Sequence, residues 1–456
     1  MLTLDELTRL HELGEIDTVL VVFPDMQGRL MGKRVVSSFF LDQLPVNGGA
    51  IEACDYLLAV DLDMEVLAGF RFTNWETGYG DFVCRPDMST LCRVPWLDRT
   101  ALVIGDLVDH HDTPIPVSPR EIAQRQIRAA AEIGFTVKVG TELEFFVFRE
   151  SMDEAADKGF QGLTPGSNHI IDYHILATSS EEDLIRTIRN DMVAAGLPVE
   201  YSKGEAGRGQ HELNLRYADA LRMADNHTIY RNGAKEIAAA AGRALTFMAK
   251  YDMDEVGSSC HIHSSLWTGT PGESGDERSA MPAEDGSMSD TFRWWLGGLL
   301  DTAADFALCW APFVNSYKRY QPGSWAPTAI GWGTDNRTLG FRVVGSGQGL
   351  RVESRIPGSD CNPYLAIAAT IAGGLHGIAN RIEPPDPFDG NGYTADLPRI
   401  PHTLIDAIGR FERSEVALAA FGEDVHFHLL HLARQEWDSF NRHVTDWELR
   451  RNFEQL

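Results

Sequence analysis

The feature that most constrains the fold of this 456-residue chain is a strand-like segment that carries two carboxylates on one face. In TELEFFVF, Glu142 and Glu144 lie two residues apart, so on a strand both side chains point to the same face. Leu143, Phe145 and Val147 take the opposite, apolar face. Two adjacent carboxylates repel each other unless a cation lies between them. The segment therefore predicts a strand whose polar face is either solvated or occupied by a cation.

Three further segments repeat this alternation of polar residues. They contain His261 and His263 in HIHSSLW, Glu212, Asn214 and Arg216 in HELNLR, and Arg351, Glu353 and Arg355 in RVESR. One such segment alone is usually a solvated strand face. If all four strands join one sheet, their polar faces form a basin of carboxylates, imidazoles and guanidinium groups. Carboxylate-rich sets with few histidines suit hard cations, so the sequence predicts a Mg²⁺ or Mn²⁺ site.

Two loops add polar groups to this basin. KGEAGRGQHE places Glu205 and Glu212 on either side of a glycine-rich loop whose backbone can approach a ligand closely. The segment from 315 to 342 has a Pro322-Gly323 turn that suggests a mobile flap, and its cationic residues are Lys318, Arg319, Arg337 and Arg342. Arginines opposite a metal basin suit a substrate carboxylate or a transferred phosphoryl group. The residues alone predict a metal-dependent enzyme that acts on a phosphate and a carboxylate.

Charge and hydropathy exclude several classes of partner. The chain has 66 acidic and 40 basic residues, a formal charge of −26, which disfavours nucleic acid and anionic membrane surfaces. No apolar run reaches the roughly 18 residues of a membrane span, and the acidic N-terminal segment resembles neither a signal peptide nor a transit peptide. The six cysteines form no C-x-x-C pair and are expected to be reduced. We therefore expect a cytoplasmic protein with no nucleic-acid or membrane partner.

Strand patterns and prolines predict the organisation of the chain. Residues 17–36 predict a hairpin, 100–107 predict a further strand, and Ser118-Pro119-Arg120-Glu121 predicts a helix start with a capping box. We therefore divide the chain into a small β-rich domain, 1–112, and a large α/β domain, 113–456. The other expected elements are a surface loop at 268–290 and helices at 181–196, 219–251, 290–310, 362–381, 401–421 and 424–441.

These segments together resemble the glutamine synthetase family. TELEFF, GEAGRGQHE, SCHIHSSL, NSYKRYQPGSWAP, NRTLGFR and RVESRIPGSDCNPYLA occur in the family's order across residues 140–366. The resemblance implies an α+β fold with an N-terminal β-grasp domain and a catalytic domain built on a curved antiparallel sheet. It also implies a homo-oligomer, typically a dodecamer of two stacked hexameric rings, with active sites between subunits. The family uses ATP to convert the γ-carboxylate of L-glutamate into a γ-glutamyl phosphate, which an amine then attacks.

By matching position, the resemblance implies a role for each charged side chain, with two or more Mg²⁺ or Mn²⁺ ions per site. The metal ligands form two sets, Glu144, Glu205 and Glu212 nearer glutamate, and Glu142, His261 and Glu353 nearer the ATP phosphates. The substrate-binding residues are Glu144, Gly257, Arg319 and Arg355. The ATP-binding residues are Glu205, His263, Arg337, Arg342 and Arg351. The catalytic residues are Asp81, Trp325, Arg337 and Arg342.

The half of the site that would bind ammonium departs from the family pattern. Glutamine-forming members have a glutamate in the flap where this chain has Trp325, and their Asp-Gly-Ser-Ser element is replaced here by NGGAIEACDY. The asparagine that normally precedes Gly257 is Val256. These departures resemble the γ-glutamyl-amine ligases, which join glutamate to ethanolamine or polyamines. We therefore expect a γ-glutamylethanolamide or γ-glutamylpolyamine synthetase of amine utilisation and nitrogen metabolism, with ethanolamine favoured.

Two alternatives to an amine ligase stay open at this point. One is a glutamine synthetase that uses ammonia through an unusual site. The other is a catalytically inactive structural or regulatory homologue. All six predicted metal-ligand positions remain acidic or histidine, which argues against an inactive homologue, because clustered carboxylates without a cation destabilise a fold. NGYTADLP around Tyr393 fits the family's adenylylation motif poorly, so this control is not expected.

Overall fold

Two sheets built by separate stretches of the chain organise the fold. The computed structural model describes residues 1–269 and 276–456. The strands are β1 (Thr18–Pro24), β2 (Leu30–Val36), β3 (Ile51–Cys54), β4 (Asp81–Pro86), β5 (Cys92–Arg93), β6 (Thr100–Val108), β7 (Thr136–Phe148), β8 (Val199–Gly204), β9 (Gln210–Leu215), β10 (Ala218–Asp219), β11 (Ala244–Thr246), β12 (Cys260–Thr268), β13 (Arg278–Ser279), β14 (Trp332–Thr334), β15 (Phe341–Val344) and β16 (Arg351–Ser354). The helices are α1 (Leu4–Glu12), α2 (Ser37–Asn47), α3 (Pro119–Glu132), α4 (Met152–Asp157), α5 (Ile175–Thr178), α6 (Glu182–Ala194), α7 (Ala220–Ala240), α8 (Asp290–Thr302), α9 (Ala307–Trp310), α10 (Pro363–Asn380), α11 (Leu404–Arg413), α12 (Glu415–Phe421), α13 (Glu423–Asn441) and α14 (Asp446–Asn452).

The first sheet lies in the N-terminal part of the chain. Its strand order is β2-β1-β6-β4-β3, with β5 paired to β6. The predicted hairpin at 17–36 is confirmed, because β1 and β2 pair antiparallel and Gly28 lies in the connecting turn at φ 72°. Glycine reaches such a φ without a steric cost. The strand predicted at 100–107 is β6, which pairs parallel to β1.

The second sheet contains all four strands with alternating polar residues. Its order is β14-β15-β16-β12-β7-β9-β8, with β10 and β11 paired to β7 and β13 paired to β12. The pairs are antiparallel except β14 with β15. The strands β16, β12, β7 and β9 are consecutive neighbours, so the condition for a shared polar face is met. The combination of sheets and packed helices confirms the α+β class.

Three local predictions are corrected by the structure. Ser118 precedes α3, but its side chain makes no capping hydrogen bond, and Glu121 is instead engaged by Arg128 at 2.5 Å. The helix predicted over 219–251 ends at Ala240, since Gly242 takes a left-handed φ of 68° and the chain turns into β11. The loop predicted at 268–290 includes the short strand β13, and residues 270–275 of that prediction lie outside the described residues.

The remaining helix predictions hold with small changes. The stretches 181–196 and 362–381 contain α6 and α10, and the helix predicted over 424–441 is α13, which begins one residue earlier. The stretch 290–310 contains two helices, α8 and α9, and 401–421 contains α11 and α12. Ser414 explains the second break, because its side chain accepts the backbone N–H of Ala417 and starts a new helix.

A buried arginine joins the first sheet to the helices of the rest of the chain. Arg120, in the first turn of α3, is fully buried and ion-pairs with Asp87 and Asp106 from the N-terminal part. It also contacts Asp225 of α7 at 3.0 Å, and that aspartate accepts a hydrogen bond from Tyr364. A buried charge is tolerated when it is paired on several sides. This network fixes the N-terminal sheet against the helices behind the second sheet, and we keep the division into domains 1–112 and 113–456 as a proposal.

Two expectations from composition can be compared with the structure. All six cysteines are free thiols, in agreement with the expected reduced state. Among the described helices, none has the length and apolar character required to cross a membrane.

Candidate active site

The register of the second sheet aligns the predicted metal ligands in rows across the strands. Glu144 on β7 lies opposite Glu212 on β9. Glu142, two residues earlier on β7, lies opposite His261 on β12. Glu353 on β16 continues the array, because it lies opposite His263 on β12. Carboxylates and imidazoles from four strands therefore share one face, as the alternation predicted.

This face forms the floor of a cavity of about 1180 Å³. The predicted site residues that line it are Glu142, Glu144, Glu205, Glu212, Gly257, His261, Arg319, Trp325, Arg337, Arg342 and Arg355. Glu353 lies just behind this surface, where it is fully buried and bonded to Arg355 at 2.6 Å and Arg342 at 2.8 Å. His263 and Arg351 line a neighbouring cavity of about 240 Å³ that shares Glu142. Nearly all the predicted residues are therefore brought together.

Two groups of ligand atoms are close enough to share a cation. Glu142, His261 and Glu353 form the first group, which is one of the two predicted sets. Glu144, Glu212 and His261 form the second group, and in each group the ligand atoms lie within 4.8 Å of one another. The donors are mostly carboxylate oxygens, which fit Mg²⁺ or Mn²⁺.

Glu205 does not join the second group in this structure. Its carboxylate forms an ion pair with Lys203, which also lies 3.8 Å from Asp172. His261 takes the place that was predicted for Glu205. The ion pair explains the difference, because a carboxylate held by an ammonium group on its own strand end is drawn away from Glu144 and Glu212. Its predicted metal and ATP roles stay predictions.

Neighbouring histidines and Arg355 favour the ionised form of two of the carboxylates. Burial alone would raise the pKa of Glu142, but the imidazoles of His263 and His261, at 2.9 and 3.2 Å, hold that pKa well below its usual value. Burial also opposes ionisation of Glu353, yet the same histidines and Arg355 lower its pKa to about 2. Burial and the nearby Arg355 lower the pKa of His261 to about 4, so its ring is neutral and able to ligate a metal ion.

The other two carboxylates repel each other. Burial, and then the charge of Glu205, raise the pKa of Glu144 to about 8. Burial, and then Glu142 and Glu205, raise the pKa of Glu212 well above its usual value. Glu144 is held in place by the N–H and O–H of Ser259 at 2.7 and 2.6 Å. Without a cation, burial and mutual repulsion favour the protonated form of these carboxylates. A divalent ion between them would offset the repulsion, so these residues fit a divalent ion.

The raised pKa of Glu144 predicts a pH dependence for the metal-free protein. Its proton is bound more tightly in the folded state, from the usual pKa of 4.5 up to about 8, so stability is lost as the pH rises through that range. The lowered pKa of His261 acts in the opposite direction, but only below its usual value of 6.5. In chelator, we therefore expect the Tm to fall between pH 6.5 and 8. Glu212, whose pKa is also raised, contributes in the same direction, so Glu144→Gln should show a smaller fall in thermal unfolding, and an unchanged slope in the variant would contradict the explanation.

The predicted glutamate-binding residues form one side of the cavity. Arg319 is 2% exposed, and its Nη2 group donates to the carbonyls of Arg355 and Pro357 at 3.3 and 3.0 Å, so part of its role is to support the backbone after β16. Gly257 packs directly against it. A Cβ at position 257 would lie 2.4 Å from Cγ of Arg319 and 2.7 Å from the carbonyl of Ala249, so only glycine fits. The carbonyl of Gly257 accepts a hydrogen bond from Gln210 at 3.0 Å.

The flap contributes Trp325 to the cavity. The predicted turn at Pro322-Gly323 is present, with Gly323 at φ 76° and the N–H of Ser324 donating to Gln321. Trp325 itself adopts a positive φ of 65° and leaves 59% of its surface exposed. Its carbonyl accepts a hydrogen bond from Arg355 at 3.4 Å. The mobility of this flap stays a prediction.

The phosphate-binding arginines differ in how they are held. Arg342 bonds to Asp335 through Nε at 2.9 Å and to Glu353 at 2.8 Å, which fixes its side chain. Arg337 is half exposed and lies 3.9 Å from Asp335. Arg351 donates to Nδ1 of His263 at 3.1 Å in the neighbouring cavity. All three cations therefore lie at or beside the basin, and their binding of ATP stays a prediction.

Asp81 is the predicted site residue that this chain does not bring to the cavity. It starts β4 in the first sheet, is exposed, and pairs across the strands with Cys54. Its charge acts on Asp55, whose pKa is raised by burial and then by Asp81, although the hydroxyl of Thr73 opposes the shift. A catalytic role for Asp81 requires a second subunit and stays a prediction.

Several residues of the cavity were missed from the sequence. Gln210 donates to Glu144 at 3.2 Å and precedes Glu212 by two residues, so the same alternation that revealed Glu212 could have revealed it. Lys203 precedes Glu205 by two residues and could have been found in the same way. Asp172 also lines the cavity, and it lies in a segment without a periodic signal.

Comparison with known proteins decides the family. The family profile described as glutamine synthetase, catalytic domain, matches residues 116–452. The chain belongs to the glutamine synthetase family. Members of this family use ATP and divalent metal ions. The resemblance found in the motifs is thereby confirmed, together with the glutamine-synthetase-like α+β fold that it implied.

Individual relatives match the chain over nearly its whole length. It is 51% identical over 455 residues to the γ-glutamylethanolamide synthetase GlnA4 of Streptomyces coelicolor, covering 100% of this chain and 96% of the relative. It is 36% identical over 446 residues to a glutamate–isopropylamine ligase from a Pseudomonas species, covering 96% and 95%. Among solved structures, ligand-free GmaS superposes with a TM-score of 0.83 at 28% identity, covering 98% of this chain and 99% of the other.

Proposed function

We propose that this protein is an ATP-dependent ligase that joins the γ-carboxylate of L-glutamate to an organic amine, with ethanolamine favoured, and releases ADP and phosphate. The observation that carries the proposal is the combination of an intact acidic basin with a flap that presents Trp325 to the same cavity. An indole has no group that could accept a proton from ammonium. The names of two relatives, a γ-glutamylethanolamide synthetase and a glutamate–isopropylamine ligase, support an organic amine.

The acidic residues would hold two or more divalent ions. Glu142, His261 and Glu353 would bind one ion, and Glu144 and Glu212 would bind another. Glu205 would join the second ion through Oε2, since Oε1 is the atom that Lys203 engages. Such ions, when bound, neutralise the phosphates of ATP and the charge of the transferred phosphoryl group.

The arginines of the chain would orient the two anionic substrates. Arg319 and Arg355 lie on the side of Gly257 and would bind carboxylates of glutamate. Arg342, opposite Glu353 on β15, and Arg337, in the loop that precedes β15, would contact the transferred phosphoryl group. Arg342 is already fixed by two carboxylates, so its guanidinium group is positioned before substrate arrives.

We further propose a cytoplasmic homo-oligomer of stacked hexameric rings. Asp81 is exposed at the edge of the first sheet and is absent from the cavity lining within this chain. In a ring, Asp81 of one subunit would reach the cavity of the next, as the family resemblance implies. Light scattering of the active enzyme tests this, and an active monomer would contradict it.

A panel of amines tests the proposed reaction. Phosphate release is measured with ATP, glutamate and Mg²⁺, with ethanolamine, isopropylamine, a polyamine or ammonium as acceptor, and without amine as the control. We expect kcat/KM to be highest for ethanolamine and at least about tenfold lower for ammonium. Ammonium as the best acceptor would favour a glutamine synthetase instead. Absence of amine-dependent phosphate release with every acceptor would favour an inactive homologue.

A further inference from the structure

One wall of the cavity already contains an alkylammonium ion, which is the side chain of Lys203. This wall is formed by Asp172 and Tyr173 together with the strand β8 and Glu205. Nζ of Lys203 lies 4.5 Å from the centre of the Tyr173 ring, forms an ion pair with Glu205 and lies 3.8 Å from Asp172. An aromatic face with carboxylates around it is a common binding site for organic ammonium ions. The chain therefore fills this cage with its own lysine.

The other acidic groups of the same wall are also largely engaged. Glu182 is bound by the guanidinium group of Arg189, through Nη2 at 2.5 Å and Nη1 at 3.1 Å. Arg189 also donates to the hydroxyl of Ser202 on β8 at 2.8 Å. Glu200 lines the cavity but is exposed to solvent. With the exception of Glu200, the carboxylates that a second positive charge meets on this wall are already paired.

The position of Lys203 brings it close to the reacting groups. It lies on β8 directly opposite Glu212 on β9, and Glu212 lies opposite Glu144 on β7. The side of the cavity with Arg319 and Arg355 suits glutamate. The side with Arg337 and Arg342 suits phosphate. The wall that contains Lys203, together with Trp325, is left for the amine.

We propose that Lys203 is a specificity-determining residue that selects amines whose tail carries no second positive charge. This inference rests on the proposed function. While one nitrogen of a diamine attacks, its other nitrogen remains an ammonium ion. Lys203 repels this ion and already occupies the cage of Tyr173 and Glu205 that could have bound it. A hydroxyl or alkyl tail has no such cost, and a hydroxyl can accept a hydrogen bond from the lysine ammonium. Like charges a few ångströms apart near a protein surface change binding by roughly tenfold or more.

Two amines of equal length isolate the effect of the tail charge. 4-Aminobutan-1-ol and 1,4-diaminobutane differ in a hydroxyl against an ammonium group, and kcat/KM is measured for both in wild type, Lys203→Met and Lys203→Arg. We expect wild type to prefer the aminoalcohol, and Lys203→Met to raise the ratio of diamine to aminoalcohol at least about fivefold. Lys203→Arg keeps the charge and should keep the wild-type ratio.

A lysine outside the cavity provides the matched control. Lys158 pairs with Glu150 at 2.6 Å, so Lys158→Met removes a similar ion pair and should leave the ratio unchanged. Three results overturn the inference: wild type prefers the diamine, the ratio is unchanged in folded Lys203→Met, or this folded variant loses turnover with all amines. Lys203→Gln replaces the methionine variant if that protein does not fold. Wild type inactive with every amine would instead contradict the proposed function, so the two failures are distinguishable.

Discussion

Replacing Glu212 by glutamine is expected to abolish amine-dependent phosphate release and, at the same time, to make the metal-free protein more stable. Glu212 is buried opposite Glu144, and its pKa is raised by burial and then by the charges of Glu142 and Glu205. An amide keeps the shape of the side chain but removes the repulsion, so the free energy of unfolding in chelator should increase by on the order of 1 kcal/mol. The amide is also a poorer ligand for a hard cation, so turnover should fall by at least about 100-fold.

Thermal unfolding in chelator and in saturating Mg²⁺ measures both sides of this prediction. Mg²⁺ should raise the Tm of wild type and raise that of Glu212→Gln much less. Glu150→Gln is a matched control with the opposite sign, because the ion pair with Lys158 lowers the pKa of Glu150 to about 2, so its loss should destabilise the fold. Glu150 lies outside the cavity lining, so the Glu150→Gln enzyme should retain its turnover. A Glu212→Gln enzyme with near-normal turnover would contradict the metal assignment, and a lower Tm in chelator would contradict the proposed repulsion.

The polar face of the second sheet was predictable because side chains alternate strictly along a strand. Glu142 and Glu144 had to share a face whatever the rest of the fold, and so did His261 and His263. The pairing of those strands was not fixed by the local pattern. It depends on register, and the register places Glu144 opposite Glu212, with the two on separate segments of the chain.

The second group of ligand atoms contains His261 where Glu205 was expected, and a local sequence pattern could not have predicted this difference. The family resemblance implied that Glu205 is a metal ligand, but the ion pair with Lys203 depends on how β8 packs beside β9. The cavity wall that contains Lys203 was missed for the same reason. Asp172 comes from a segment without periodicity and approaches Lys203 only in the folded chain. Asp81 lies on a different sheet, so no pattern within one chain could bring it to the cavity.

Trp325 is the flap residue that we propose lies beside the acceptor amine. It lines the same cavity as the acidic basin, it is more than half exposed, and its backbone is fixed by a hydrogen bond to Arg355. An aromatic ring at a loop tip often serves only to anchor the loop by packing. The exposure of this ring argues against that explanation, because a packing anchor would be buried. An indole also offers a π face to an alkylammonium ion while giving ammonium no carboxylate to bind.

We therefore expect Trp325→Glu to shift the enzyme from ethanolamine toward ammonium. A carboxylate at this position can bind a small cation and accept its proton, so the ratio of kcat/KM for ammonium to that for ethanolamine should rise by at least about tenfold. Trp325→Phe is the control, because it keeps an aromatic face and, like the glutamate variant, must adopt the positive φ of 65°, so backbone strain is matched. The phenylalanine variant should keep the preference for ethanolamine. An unchanged ratio in Trp325→Glu, or an equal rise in both variants, would mean that Trp325 packs the flap and does not choose the amine.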